Sequence, residues 1–328
     1  MRKLKVGIIG LGRIASLYET DKRARKYYPA LTHAGAYSLH KAVKITCGAD
    51  VNRNRAALFG KRWGVKSLYT DYRKMLREQE IDILSICTPP EEHVAIIRET
   101  AGRVPVIFCE KPFTCSLNEI REVIKLCSRW GTRITVNLYR QYDLSHDKVK
   151  DLLKSGAFGG IQRINCYYGK GLRNIGSHAI GYIIGVFGKP SVVRVLSKKK
   201  YEGTDEFSFD VYMKLRHNVP VFMQSCDFSR YRLFEFDIIC ERGRVQILDE
   251  GLTIKVFFVK DNRAETGAME LREKKGAINS SIGKALYNAV CHLVNMRIDK
   301  KVKPIVSPEV YFDIQKVIEE IEKKGMEL

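Results

Sequence analysis

A doubly wound parallel sheet followed by an α+β domain with an open, mainly antiparallel sheet is the fold this chain predicts, and three observations carry the reading. Over residues 1–140, Val- and Ile-rich apolar runs alternate with amphipathic stretches. The first run, Leu4 to Ile9, leads into the glycine-rich turn Gly10-Leu11-Gly12-Arg13-Ile14-Ala15. From about residue 160 the pattern becomes one of short alternating runs divided by turn residues. Strand–helix alternation implies right-handed crossovers and a parallel sheet, and strands that are apolar throughout are those covered by helices on both faces.

Taken in order, the runs Leu4–Ile9, Val43–Ala49, Ile81–Cys87, Val104–Cys109 and Arg133–Val136 read as strands of a first domain, residues 1–140. Leu144, Val149, Leu152 and Leu153 fall at helical spacing after it. Residues 160–168, 191–199, 206–215, 219–227, 233–240, 243–248 and 252–259 then read as strands, interrupted by a helix over 174–187. Such a sheet leaves one face available to helices or to another subunit. The polar segment 261–280 reads as a loop, and helices over 282–298 and 308–323 close a second domain, residues 141–328.

The 328 residues exceed the usual size of a single core, which favours two domains. Met1-Arg2-Lys3 passes straight into a strand, and no apolar run is long enough to span a bilayer, so a soluble cytoplasmic chain without membrane association is expected. Nine cysteines, an odd number without a CxxC pair, fit free thiols in a reducing compartment. Seven scattered histidines lack zinc-ligand spacing, so no metal site is expected. The net charge of +20 is spread along the chain without a nucleic-acid recognition pattern. A positive field that draws an anionic cofactor and substrate accounts for it, as does simple solubility.

The turn Gly10 to Ala15 has the GxGxxA form between a strand and an expected helix start, where Gly10, Gly12, Arg13 and Ile14 can approach a pyrophosphate and free amides can bind it. Asp50, at the end of the second run, can accept hydrogen bonds from ribose hydroxyls or cap the helix that follows. Nearby Arg53 softens the resulting preference for NAD over NADP. Thr88, Pro89, His93, Glu110 and Lys111 lie at or just after strand carboxyl ends, where ligands of open α/β sheets bind; Asn137 follows the next strand end and joins the cofactor set. In Tyr168-Gly169-Lys170-Gly171-Leu172-Arg173-Asn174-Ile175-Gly176-Ser177-His178, Asn174 and His178 share a face if helical. A neutral imidazole there can act as general base, with a lysine ammonium to stabilise developing charge.

Together, the glycine turn, Asp50, Thr88-Pro89-Pro90 with His93, Glu110-Lys111-Pro112 and Asn174-Ile175-Gly176-Ser177-His178 resemble the glucose-fructose oxidoreductase and inositol dehydrogenase (Gfo/Idh/MocA) family over nearly the whole chain. The resemblance implies a Rossmann domain binding NAD or NADP and a second domain whose open sheet commonly forms the interface of a homodimer or homotetramer. It also implies hydride transfer at a carbohydrate carbon, with Lys111 and His178 as principal catalytic residues and Asn174 beside them. Many members carry aspartates where this chain has Asn174 and Gly181. The Asn version resembles members that oxidise the 3-hydroxyl of nucleotide sugars such as UDP-N-acetylglucosamine or its uronic acid. A diphosphate substrate would give a role to Arg140, Lys170, Arg173, Arg230 and Arg232. The alternatives are a dehydrogenase of free sugars or inositols and a regulatory protein that binds dinucleotide without turning it over.

Overall fold

The computed structural model describes residues 2–114 and 116–327. Its first sheet is parallel throughout, in the order β3-β2-β1-β4-β5-β6: β1 (Leu4–Ile9), β2 (Val43–Ala49), β3 (Ser67–Tyr69), β4 (Ile83–Ile86), β5 (Val106–Cys109) and β6 (Arg133–Val136). Every residue of β4 and β5 is buried, as expected of strands covered on both faces. The interleaved helices are α1 (His33–Leu39), α2 (Arg53–Trp63), α3 (Tyr72–Glu78), α4 (His93–Thr100) and α5 (Leu117–Trp130). Local chemistry sets their ends. The Asn52 side chain accepts from the amides of Asn54 and Arg55 at the start of α2, Ser116 and Glu119 form a capping box on α5, and left-handed Gly64 and Gly131 close the two helices.

Beyond α6 (Leu144–Lys154) comes a mixed eight-stranded sheet in the order β14-β13-β12-β11-β7-β10-β9-β8. It contains β7 (Ile161–Tyr168), β8 (Val192–Lys199), β9 (Ser208–Lys214), β10 (Pro220–Ser225), β11 (Phe234–Cys240), β12 (Gly243–Leu248), β13 (Thr253–Asp261) and β14 (Met269–Glu273). All neighbours are antiparallel except β7 and β10. Burial alternates residue by residue along β11 and β12, so one face forms a core and the other is half-exposed. α7 (Ser177–Phe187) covers the buried face, with the Tyr182 ring 4.5 Å from that of Phe236. The chain ends with α8 (Ala285–Ile298) and α9 (Pro308–Gly325). Among the described residues no helix is long and apolar enough to cross a membrane.

Three sequence expectations need correction. The segment 261–280 is not simply a loop, because Met269–Glu273 pairs with β13 as a closing hairpin. The three-residue β3 was too short to register as a run. The chain divides into two compact units, Met1–Tyr142 with Gly283–Phe312 and Asp143–Ile282 with Asp313–Leu328, so residues 283–312 belong with the first unit and not the second. The reason lies in α8, which buries Ala285, Leu286, Ala289, Val290, Leu293, Val294 and Met296 and packs against α1 and β5. Arg297 at its end pairs with Asp82 at 2.8 Å, and the Val136 amide donates to the Val306 carbonyl at 2.9 Å.

Candidate functional site

The carboxyl ends of β1, β2 and β4 open onto a cleft of about 390 Å³ whose walls include Gly10, Gly12, Asp50, Arg55, Tyr72, Thr88 and Pro89. Gly10 has φ +82°, and a β-carbon there would stand 2.7 Å from the Cys87 carbonyl carbon and oxygen. The ends of β1 and β4 therefore cross at a distance that only glycine tolerates. A β-carbon on Gly12 would meet no protein atom within 4 Å, so the turn leaves space for a ligand on that side. Asp50, almost fully buried, accepts from the Leu11 amide and the Asn52 amide, both at 2.8 Å. It ties the glycine turn to β2, while Asn52 and not Asp50 caps α2. Of the two nearby arginines, Arg55 lines the cleft.

The regular helix expected after the glycine turn does not form. Leu17 and Tyr18 donate to Gly12 and Arg13, five residues back, and a single 3-10 turn follows over Leu17–Thr20. The Trp63 indole donates to the Ser16 hydroxyl at 2.8 Å and Arg62 to the Ser16 carbonyl at 3.0 Å, which holds this wide turn against α2. The cleft still fits a dinucleotide. The Thr88 and Tyr72 hydroxyls on its wall are buried without a hydrogen-bond partner, the cost that a polar ligand would relieve.

Glu110, at the end of β5, enters a buried polar cluster rather than the cleft wall. Its Oε1 lies 2.7 Å from His33 Nε2 and 2.6 Å from Asn137 Nδ2, and its Oε2 accepts from the Lys111 amide at 3.3 Å. His33 Nδ1 in turn lies 3.0 Å from the Ser85 hydroxyl, which is 2.8 Å from the Tyr37 hydroxyl. Burial pushes the Glu110 carboxyl up, but the bonds from His33 and Asn137, together with the neighbouring His33 and Lys111, bring it below its ordinary value. Sequence reasoning missed His33, Ser85 and Tyr37, and placed Glu110 and Asn137 on the cofactor instead. Lys111 is half-buried and follows directly.

His93 is corrected as a cofactor contact. Its ring is fully buried, with Nδ1 3.0 Å from the Phe113 carbonyl and Nε2 3.0 Å from the Thr88 carbonyl. It braces the turn after β4 against the segment after Lys111.

In the second unit, β7 ends in a tight Gly169-Lys170-Gly171 turn. Lys170 adopts φ +59°, a left-handed conformation costing a non-glycine residue roughly 1 kcal/mol, and its ammonium sits 5.8 Å from the Phe228 ring centroid. A π turn over Leu172–Gly176 leads into α7, a geometry frequent at functional sites. The Glu206 carboxylate accepts from the Arg173 and Asn174 amides at 2.9 and 3.1 Å, fixing the turn that carries Asn174. His178 is the second residue of α7 and is 2% exposed.

The arginines expected to grip phosphate fare differently. Arg173 makes a two-pronged bond to Glu322, both contacts at 2.6 Å, and so is engaged within the protein. Arg140 is buried in the first unit with its guanidinium over the Tyr139 ring. Arg232 lies 4.0 Å from Glu250, and Arg230 and Lys170 are exposed.

Residues 4–138 match the model of an oxidoreductase family with an NAD-binding Rossmann fold, GFO_IDH_MocA. This domain belongs to the Gfo/Idh/MocA family. The chain is 28% identical over 158 residues to the uncharacterized oxidoreductase YrbE of Bacillus subtilis, and 21% identical over 156 residues to myo-inositol 2-dehydrogenase of Thermotoga maritima. Each match covers 48% of this chain and 42% of the relative, so it spans less than half of either protein. The WlbA dehydrogenase of Bordetella pertussis, solved with NADH and UDP-GlcNAcA, has the same fold over 99% of this chain and 97% of its own, with a TM-score of 0.75 at 16% identity.

Within the Gfo/Idh/MocA domain the dinucleotide half of the sequence reading thus has a shaped cleft, with the buried acid Asp50 on its wall. Replacing Asp50 by serine is expected to weaken NADH binding by roughly tenfold to a hundredfold, the range for losing charge-assisted hydrogen bonds, and NADPH binding by much less. Fluorescence titration of both cofactors checks this, and an unchanged NADH-to-NADPH preference would remove Asp50 from cofactor selection.

Proposed function

We propose that the protein is an NAD-dependent oxidoreductase that transfers hydride between a sugar carbon and nicotinamide, C3 of a nucleotide sugar such as UDP-N-acetylglucosamine or its uronic acid being the preferred site. The observation that carries the oxidoreductase reading is the position of Lys111 at the end of β5, the strand beside the one whose end, Thr88-Pro89, walls the dinucleotide cleft. Bound NAD supplies the hydride acceptor. Lys111 and His178 are the groups suited to carrying the hydroxyl proton and stabilising the developing negative charge. Asn174 has no ionisable group and is limited to orienting a hydroxyl, on a turn that Glu206 fixes.

The nucleotide-sugar preference is supported by Asn174 standing where many members carry aspartate, and by the exposed cations Lys170 and Arg230. The myo-inositol 2-dehydrogenase relative favours a second reading, oxidation of a free polyol. Thermal shift with NAD present separates them. Stabilisation by UDP-sugars and not by inositols, followed by growth of NADH absorbance, is expected for the first; the reverse order of ligands overturns it. Stabilisation without any NADH formation would instead identify a binding protein that no longer turns its cofactor over. A cytoplasmic homo-oligomer, assembled through the half-exposed sheet face that carries the Tyr212–Phe222 ring pair, belongs to the same reading.

A further inference from the structure

Five polar side chains from four segments of the first unit meet out of water: Tyr37 and His33 on α1, Ser85 on β4, Glu110 after β5 and Asn137 after β6. A buried polar group without a partner costs about 1–3 kcal/mol, so a cluster of this kind is retained only where its members satisfy one another. The proton directions follow from what each group can do. A carboxylate only accepts, so His33 Nε2 and Asn137 Nδ2 both donate to Oε1, and the 3.3 Å approach between those two nitrogens is a contact of two donors. On its other side, His33 Nδ1 lies 3.0 Å from the Ser85 hydroxyl, which lies 2.8 Å from the Tyr37 hydroxyl. Burial pushes the Tyr37 phenol up, so it stays a donor. The two bonds that reach the carboxylate, from His33 and Asn137, both run toward it.

We propose that His33 is a positioning residue for Lys111: by donating to Glu110 it keeps a fixed negative charge at the end of β5, and that charge holds the Lys111 ammonium and its backbone in place. The proposal rests on the reading of Lys111 as the proton-transfer residue and adds the device that controls it. The remaining titratable groups around Glu110 are the Cys87 and Cys109 thiols and the Tyr142 phenol, all three pushed up by burial and further by Glu110 itself. They stay neutral, and Lys111, whose amide donates to Oε2, is a neighbouring cation that lowers the carboxyl. α1 lies beyond the segment 20–32 that lengthens the gap between the glycine turn and Asp50, and it places His33 here with Thr32 accepting from the Gly35 amide at its start.

The test reads Lys111 directly and needs neither substrate nor cofactor: the rate at which trinitrobenzenesulfonate labels Lys111 at pH 7.5, followed by peptide mass spectrometry on the full chain. Loss of a neighbouring negative charge lowers a lysine pKa, and one pKa unit raises the reactive free-amine fraction about tenfold. Glu110→Gln and His33→Leu are both expected to accelerate labelling by about that factor, because a carboxyl stripped of its imidazole donor in this site becomes protonated. His33→Gln, whose amide can still donate to Oε1, is expected to stay within about twofold of wild type. If His33→Leu does not fold, His33→Asn, too short to reach Oε1, gives the same reading. Acceleration in Glu110→Gln without acceleration in the His33 variant would overturn the role of His33; no acceleration in Glu110→Gln would overturn the charge coupling. Undiminished turnover in Lys111→Ala would instead defeat the reading of Lys111 and leave the labelling result standing.

Discussion

Lys111→Ala is expected to lower the rate of nicotinamide reduction by about 10²–10⁴-fold, the usual contribution of a positioned acid or base, while NADH binding stays within about threefold of wild type. The two halves of this expectation have separate structural reasons. Lys111 does not line the cleft formed by Gly10, Gly12, Asp50 and Thr88, so its truncation leaves the dinucleotide site intact. Its amide is tied to Glu110, and Glu110 is tied to His33 and Asn137, so the side chain leaves from a fixed point on the framework. Loss of rate with retained NADH fluorescence enhancement supports the assignment. Near wild-type turnover would move proton transfer to His178 alone, and parallel loss of rate and NADH binding would make Lys111 part of the cofactor site.

Much of the fold was legible because its signals are local. The runs that became β1, β2, β4, β5 and β6 are apolar on both faces, and the runs from β7 to β13 alternate, which distinguishes a parallel sheet covered on two sides from an open one. What escaped depends on contacts remote in sequence. The wide turn after Gly12 is held by Trp63 and Arg62, some 46 residues away, which overrides the helix that the glycine motif ordinarily opens. The return of residues 283–312 to the first unit has no marker in the chain, since α8 is apolar on most sides and would suit either core. β14 is mostly exposed, so its composition is that of a loop.

The site divides along the same line. Gly10, Gly12, Asp50 and Thr88 are readable as a group from their place at strand ends, and the cleft gathers all four. His93 occupies an equally suggestive position, yet its two ring nitrogens face backbone carbonyls, an arrangement decided by the path of residues 111–113 rather than by anything in its own segment. His33 went unnoticed for the converse reason. Its partners Ser85 and Glu110 lie 52 and 77 residues downstream, and a lone histidine at the start of a seven-residue helix carries no periodic signal. Arg173 shows the limit of charge arithmetic: the guanidinium suits a phosphate, but Glu322, 149 residues away, already fills its fork.

The two glycines of the turn are expected to fail in different ways when replaced by alanine. At Gly10 the added β-carbon meets backbone atoms of Cys87 and Thr88 at 2.7–2.8 Å, atoms that cannot swing aside as a side-chain tip would, and φ +82° is itself unfavourable for alanine. Left-handed strain of roughly 1–2 kcal/mol and overpacking of about 1–3 kcal/mol give about 2–5 kcal/mol, a large share of the ~5–15 kcal/mol that stabilises a folded domain. For a unit of this size that corresponds to a Tm lower by roughly 5–20 °C, with NADH binding lost as the ends of β1 and β4 part. At Gly12 the methyl group meets no protein atom and occupies the space left open at the cleft, so Tm should hold within about 2 °C while NADH affinity falls about tenfold, ~1.4 kcal/mol. Calorimetry and NADH titration of both variants separate the outcomes. A Gly12→Ala protein that binds NADH as wild type does would mean that the pyrophosphate does not approach the backbone at this turn, and the orphaned hydroxyls of Thr88 and Tyr72 would then require another ligand.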